Sequence, residues 1–589
     1  VPVALAMVFP TAAHGGNDTA QFITMAEATG YIETSSYDET IEYIRRLERA
    51  SDLIKLLPIG ITPQGRTMYI AVLSNDRAFT PESAARTGKA IVLVQNGIHP
   101  GEIAGKETCL ALMRDILITR EHEGFLNHVI LLVIPVFNVD GHENTSPYNR
   151  ANQVGPASMG FRATAQRLNL NRDYLKADAP EMRAWIKMFV TWQPHLLIDN
   201  HVTDGADHQY AITYTISRHQ NAPAVIRRWT TEQFMPAVSQ RLAKRGHKIS
   251  PYVILKEEDP SGGLRSFVDI PRFSTGYAIL HNRPGMLVEM HMLKDFRTRV
   301  EGNYALLQAV LEELNQNPDP LIDAVREAEE ETVTGLTEPY PLQFENSSDS
   351  IMVDFLGYEY EHVQSEIAGM KWVRYHPDKP RTMRIPYFNT STVTEAVSPP
   401  KYYLIPQEWQ EQLSLLTLHG VYLEQLTAPL TADVEMYRLT NPEWAKRSYE
   451  GRLRVSFDSE VHTKEVTFPA GTVVLPLRQR AAKIAMQLLE PRGPDSFVAW
   501  GFFNTIFERK EYIEKFAAEK LAQQMLADDP QLKSRFEDRL AADSTFRNSP
   551  RERWHFFYKQ SPYYEKGLNL YPVARLMTDV KMQTEPYVP

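Results

Sequence analysis

The apolar positions of the chain fall into two regimes. From about residue 22 to 315, short apolar runs alternate with stretches whose apolar residues recur at helical spacing. The runs TMYIAVLS (67–74), IVLVQN (91–96), HVILLVIPV (128–136), HLLIDN (195–200) and MLVEMHM (286–292) read as strands. Helical spacing marks 38–50, 103–119, 180–192, 221–245 and 298–315 between them. Several strands are apolar at successive positions, the pattern of a sheet covered by helices on both faces. The expected fold class is α/β, a mostly parallel mixed sheet flanked by helices. After a polar, acidic stretch at 316–350 the pattern changes. Residues 351–475 read as short strands with turns and 477–589 as helical, giving a C-terminal α+β accessory region. The expected divisions are a leader at 1–20, a first domain at 21–340 and the accessory region at 341–589.

Composition narrows the function classes. A chain of 589 residues is too long for one compact core, so more than one domain is expected. The net charge of −10 and the lack of a basic block argue against nucleic acid as a partner. No apolar run is long enough to span a membrane. With Cys109 as the single cysteine, neither an internal disulfide nor a cysteine-rich metal site can form. The opening VPVALAMVFPTAAHGG has the apolar body and small-residue end of a secretory leader, so a periplasmic or secreted location is expected.

Candidate chemistry gathers at strand ends. In IVLVQNGIHPGEIAG (91–105) a buried strand stops at a loop, places His99 and Glu102 three residues apart, and becomes a helix. That spacing lets both side chains converge on one cation. Alone it is a weak signal. His462 and Glu465 repeat it inside an alternating strand, where residues three apart face opposite sides, so that pair cannot chelate. His201 ends the run HLLIDN at the carboxyl edge of its strand, where open α/β sheets bind ligands; a strand-capping polar residue is the alternative. Glu289 interrupts an otherwise apolar strand, a costly place for a carboxylate unless it is paired or used. A general base beside a metal-activated water is one such use; an ion pair with a nearby arginine is another. In GFRATAQRLNLNRD (160–173), Arg162, Arg172 and Asn171 could hold anionic oxygens, or the segment is a solvated polar loop. GEIAGKE (101–107) is one residue short of a phosphate-binding loop and has Glu107 where Ser or Thr is needed, so it is rejected.

Together these residues resemble the zinc carboxypeptidase (funnelin) family, that of carboxypeptidase A, in a bacterial-type form with a C-terminal accessory region. The order H-x-x-E (His99, Glu102), NVDG (138–141), Arg162, Asn171-Arg172, His201 and Glu289 carries the likeness, over roughly residues 22–315. The resemblance implies one Zn²⁺ per chain held by His99, Glu102 and His201, with Glu289 as general base and then acid. It implies Arg162 at the oxyanion, with Arg150 as its rival, and Asn171 and Arg172 on the substrate's terminal carboxylate. Tyr277, in STGYAIL, is the residue assigned to close over the substrate. The implied partner is a peptide with a free C-terminal carboxylate. Two departures stand out. Asn169 occupies the place of a usual Asp that faces the first zinc histidine, which lowers that ligand's expected basicity. Asp173 follows the Asn-Arg pair where animal members usually carry Asn. Two other readings remain at this stage: a zinc amidase acting on cell-wall peptides or N-acyl amino acids, and a non-catalytic binding protein on the same scaffold.

Overall fold

In a computed structural model of the protein, residues 19–588 are described, apart from 204, 221 and 337. The leader expected at 1–20 lies almost wholly outside the described residues. Seven strands come first: β1 (Ile54–Ile61), β2 (Thr67–Leu73), β3 (Ala90–Asn96), β4 (Val129–Ile134), β5 (Leu196–Thr203), β6 (Ile212–Ile216) and β7 (Ile249–Pro251). Two short strands of another sheet follow, β8 (Ile254–Leu255) and β9 (Leu264–Arg265), before β10 (Gly285–His291) returns to the first. The resulting eight-stranded order is β1-β2-β4-β3-β5-β10-β6-β7. Its centre, β4-β3-β5-β10, is parallel, and antiparallel partners flank it on both sides. Every residue of these four strands is buried, which is why they lack apolar–polar alternation.

The two faces of the sheet carry different polar clusters. On one face Asn200 of β5 donates to Asn96 Oδ1 of β3 at 2.8 Å, and Asn303 of helix Phe296–Gln316 donates to Asn200 Oδ1 at 2.9 Å. Helix Ala104–Leu117 packs over this chain of amides, so closely that a Cβ at Gly105 would lie 2.5 Å from that of Asn200. On the other face Gln95 donates to Asp199, its register partner, at 2.8 Å and to Tyr174 at 3.0 Å. Trp185 of helix Pro180–Trp192 packs edge-on against Tyr174. Because side chains alternate along a strand, His201 shares this second face with Asp199. Glu289, the register partner of His201 on β10, faces the same way.

Residues 351–475 differ from the expected short strands. β11 (Tyr340–Asn346) pairs with β14 (Ser391–Val397), and between them β12 (Ile351–Gln364) and β13 (Lys371–Phe388) form a long hairpin. That hairpin joins β9 and β8 in a four-stranded sheet, so it is hydrogen-bonded to the first region. A seven-stranded sheet contains β15 (Tyr402–Ile405), β16 (Glu424–Leu426), β17 (Leu430–Trp444), β18 (Val455–Phe468), β19 (Val473–Pro476), β20 (Ala574–Leu576) and β21 (Thr584–Pro586), in the order β18-β17-β20-β15-β19-β16-β21. The distal parts of both hairpins are exposed on both faces, so no apolar run marks their length. The helical expectation for 477–589 holds over Ala482–Leu489, Lys515–Asp528, Pro530–Ala542 and Pro550–Gln560, but β20 and β21 return to the sheet. One hydrophobic core runs without a break from Phe22 to Val573 and includes Tyr403, Leu413, Trp500 and Tyr571. Among the described residues, no helix is long and apolar enough to cross a membrane.

The close approach at Gly105 fixes the helix that follows the His99 loop. Gly105→Ala is expected to cost about 1–3 kcal/mol through overpacking against Asn96 and Asn200, read as a lower urea midpoint with unchanged slope.

Candidate metal centre and substrate cavity

The loop after β3 turns sharply: the Glu102 N–H donates to His99 O at 2.8 Å, and helix Ala104–Leu117 starts two residues later. This turn brings His99 and Glu102 to one side. His201, at the carboxyl half of the neighbouring β5, meets them. His99 Nδ1, Glu102 Oε2 and His201 Nδ1 lie 3.0–3.2 Å from one another. All three residues are buried. Among the described residues they are the one group of three or more His, Cys, Asp or Glu whose donor atoms can share an ion.

Each ligand is oriented from behind. His201 Nε2 meets Asp199 Oδ2 at 2.9 Å, and Ser274 donates to the same carboxylate at 2.6 Å. His99 Nε2 meets Asn169 Oδ1 at 3.2 Å, so the amide at this position does accept the imidazole N–H. Val202 N donates to Glu102 Oε2 at 3.1 Å. Glu102 Oε1 takes Arg150 Nη1 at 2.8 Å and Arg162 Nη1 at 3.3 Å. Arg150 is the closer and the more buried of the two, its side chain 13% exposed against 42% for Arg162. It reaches Glu102 over Gly101, where a Cβ would sit 2.7 Å from Arg150 Cγ.

Charge is strongly organised here. Burial opposes ionisation of Glu102, but His99, His201 and Arg150 outweigh it and hold the carboxyl well below its usual range. Burial pushes His99 down to about 4 despite the pull of Glu102. Burial also opposes charge on His201, yet Asp199 and Glu102 outweigh it and raise this imidazole well above its ordinary value. Protonation of His201 therefore competes with cation binding at this imidazole.

A cavity of about 230 Å³ opens on this centre. His99, Glu102 and His201 line it together with Glu289, Arg150, Arg162, Asn171 and Arg172. Sequence reasoning had not singled out the rest of its wall, which includes Tyr252, Phe267, Phe273, Ser274 and Thr275. Tyr277 is a correction. It is fully buried, bonded through its hydroxyl to His419 Nδ1 at 2.8 Å, and packed among Tyr174, Trp185 and Phe189. Its flanking residues Ala278, Ile279 and Leu280 are also core, so Tyr277 does not face the cavity. Tyr252 is the tyrosine in the cavity wall. The second H-x-x-E pair lies on β18 and does not converge; His462 pairs with Glu460 instead. Lys106 of the rejected phosphate-loop pattern is buried and salt-bridged to Glu107 at 3.3 Å.

Residues 40–223 match the zinc carboxypeptidase family model, a span holding all three candidate ligands and the arginines but not Glu289. The chain carries a zinc carboxypeptidase domain. Carboxypeptidase 2 of Trichophyton rubrum is 24% identical over 490 residues, covering 79% of this chain and 83% of that protein. Carboxypeptidase 2 of Trichophyton tonsurans is 23% identical over 489 residues with the same coverage of each chain. Such a span extends beyond what residues 21–340 could supply. Among solved structures, a metallo-carboxypeptidase from Pseudomonas aeruginosa aligns with 16% identity and a TM-score of 0.37, covering 49% of this chain and 70% of that one. The carboxypeptidase domain and its relatives make the chain a zinc metallocarboxypeptidase, a hydrolase. Its His-Glu-His donor set suits the ion. Ligands about 2.0–2.1 Å from a tetrahedral Zn²⁺ lie roughly 3.3 Å apart, close to the 3.0–3.2 Å found here.

Two outcomes follow for metal uptake. Asp199→Asn is expected to weaken zinc affinity about 10- to 100-fold, measured by competition with a chromophoric chelator. Because Asp199 and Glu102 favour the charged form of His201, zinc loading is expected to release protons, and affinity to fall as pH is lowered. Titration in two buffers of different ionisation enthalpy would detect that release.

Proposed function

We propose that the protein hydrolyses the last peptide bond of peptides bearing a free C-terminal carboxylate, with one Zn²⁺ per chain held by His99, Glu102 and His201. The observation that carries the reading is one cavity lined by a convergent donor triad, a carboxylate in register with a ligand, and a fork of arginines. When bound, zinc supplies Lewis acidity toward a water molecule and a carbonyl oxygen.

The remaining work falls to side chains of the chain. Arg172, with Asn171, takes the substrate carboxylate, the task for which a planar guanidinium fork is suited. This fixes the terminal residue in the cavity and so selects the last peptide bond. Glu289, beside His201 on the neighbouring strand, accepts a proton from the attacking water. The water oxygen bonds to the carbonyl carbon, the C–N bond breaks, and Glu289 returns the proton to the departing amine nitrogen. Arg150 and Arg162, which line the same cavity, take up the negative charge that grows on the carbonyl oxygen. Both already touch Glu102, so either can shift toward substrate without leaving a charge unpaired. A periplasmic or secreted location fits the apolar opening of the chain and is proposed with this activity.

Mass spectrometry of a peptide-library digest tests the reading. Ladders shortened from the C-terminal end are expected, and chelation should abolish them. Glu289→Gln is expected to retain zinc and lose about 10²- to 10⁴-fold in kcat. Turnover of muropeptides or N-acyl amino acids without peptide trimming would favour the amidase; no turnover of any of these, with zinc bound, would favour a binding protein.

A further inference from the structure

The turn between β17 and β18 reaches across the molecule to the carboxylate-binding side of the cavity. Arg172 Nε donates to Tyr449 OH at 3.1 Å, and Arg172 Nη1 donates to Asn171 O at 2.6 Å. The guanidinium lies over the Phe273 ring, 4.4 Å from its centroid. These contacts fix the plane of the fork and leave other Nη hydrogens for a ligand. Next to Tyr449, Glu450 Oε2 accepts from Asn169 N at 2.8 Å, and Asn169 is the residue behind His99.

The turn is built to hold this position. Glu450 and Gly451 both sit in the left-handed region, with φ of 49° and 81°. A Cβ on Gly451 would lie 3.3 Å from Leu168. Tyr449 and Arg452 bond each other through their backbones, and Arg452 grips Asp178 with both Nε and Nη2 at 2.6–3.1 Å. The Tyr449 ring stacks on Trp500 with 10° between planes. Asp178 in turn shares Lys176 with Asp173, the residue after Arg172. Both ends of the 169–173 segment are thus clamped from the C-terminal region.

We propose that Tyr449 is a positioning residue for the substrate carboxylate, acting through Arg172, so that the C-terminal region completes the recognition site. The hydroxyl occupies Nε and holds the fork against Phe273, leaving the Nη edge to meet a carboxylate. Tyr449 stays 39% exposed, so its hydroxyl is not needed to fill the core. The inference rests on reading Arg172 as the carboxylate-binding residue, and its test separates the two.

Binding is measured by calorimetry on the full, zinc-loaded chain in a Glu289→Gln background, which spares the peptide. The probes are hexapeptides differing in their last residue, each as free acid and as C-terminal amide. The chain with Tyr449 is expected to prefer the acids. Adding Tyr449→Phe, which keeps the ring and its stacking, is expected to shrink that preference about 3- to 10-fold, the size of one ordinary net hydrogen bond. In the otherwise native enzyme the same substitution should raise KM by a similar factor and leave kcat within about twofold. If acid and amide weaken equally, or the preference is unchanged, the proposal for Tyr449 is overturned and the role of Arg172 stands. If acid and amide bind alike even with Tyr449 present, the parent reading of Arg172 fails.

Discussion

The parallel pairing of β5 with β3 and β10 is the constraint on which the site depends. It sets Asn96 against Asn200, Asp199 against Gln95, and His201 against Glu289. A slip of one residue in β5 would exchange its faces, sending His201 under helix Ala104–Leu117 and Asn200 into the cavity. Two buried polar clusters make such a slip costly. The amide chain Asn96–Asn200–Asn303 and the Gln95–Asp199–Ser274 group make their linking hydrogen bonds only in this register. A displaced strand would leave their donors and acceptors buried without partners, at about 1–3 kcal/mol apiece.

Electrostatics then builds on that frame. Glu102 and Asp199 bracket the histidines, and Arg150 and Arg162 meet the oxygen of Glu102 that faces away from the triad. The cavity therefore presents negative charge at the His99, Glu102 and His201 triad and positive charge at Arg150 and Arg162. Burial of Glu102, Asp199 and Arg150 strengthens these fields by lowering the local dielectric.

Much of this was legible from the chain alone, for definable reasons. Strands covered on both faces announce themselves as unbroken apolar runs, so β2, β3, β4, β5 and β10 stood out. Glu289 was visible because a carboxylate in such a run needs a reason. His99 and Glu102 were visible through spacing, and His201 through its place at a strand end. Asp199 was within reach: two residues before His201 on a strand, it had to share that face. Tyr277 belongs to the core rather than the cavity, as the apolar Ala278, Ile279 and Leu280 that follow it indicate. The 449–452 turn was beyond sequence reasoning. Its contacts with residues 169–178 span more than 270 positions, and nothing local in SYEGR marks a partner so remote. The long hairpins were missed because strands exposed on both sides carry no burial pattern.

The placement of β20 sets the order in which the protein can mature. Its residues, 574–576, lie between β17 and β15 within the seven-stranded sheet. A ribosome delivers them roughly a hundred residues after β17 and β18, several seconds later at about 5–20 residues per second. Until then the hairpin whose turn abuts Arg172 lacks its inner neighbour. The zinc ligands can assemble long before that moment, whereas the far wall waits for nearly the whole chain to emerge.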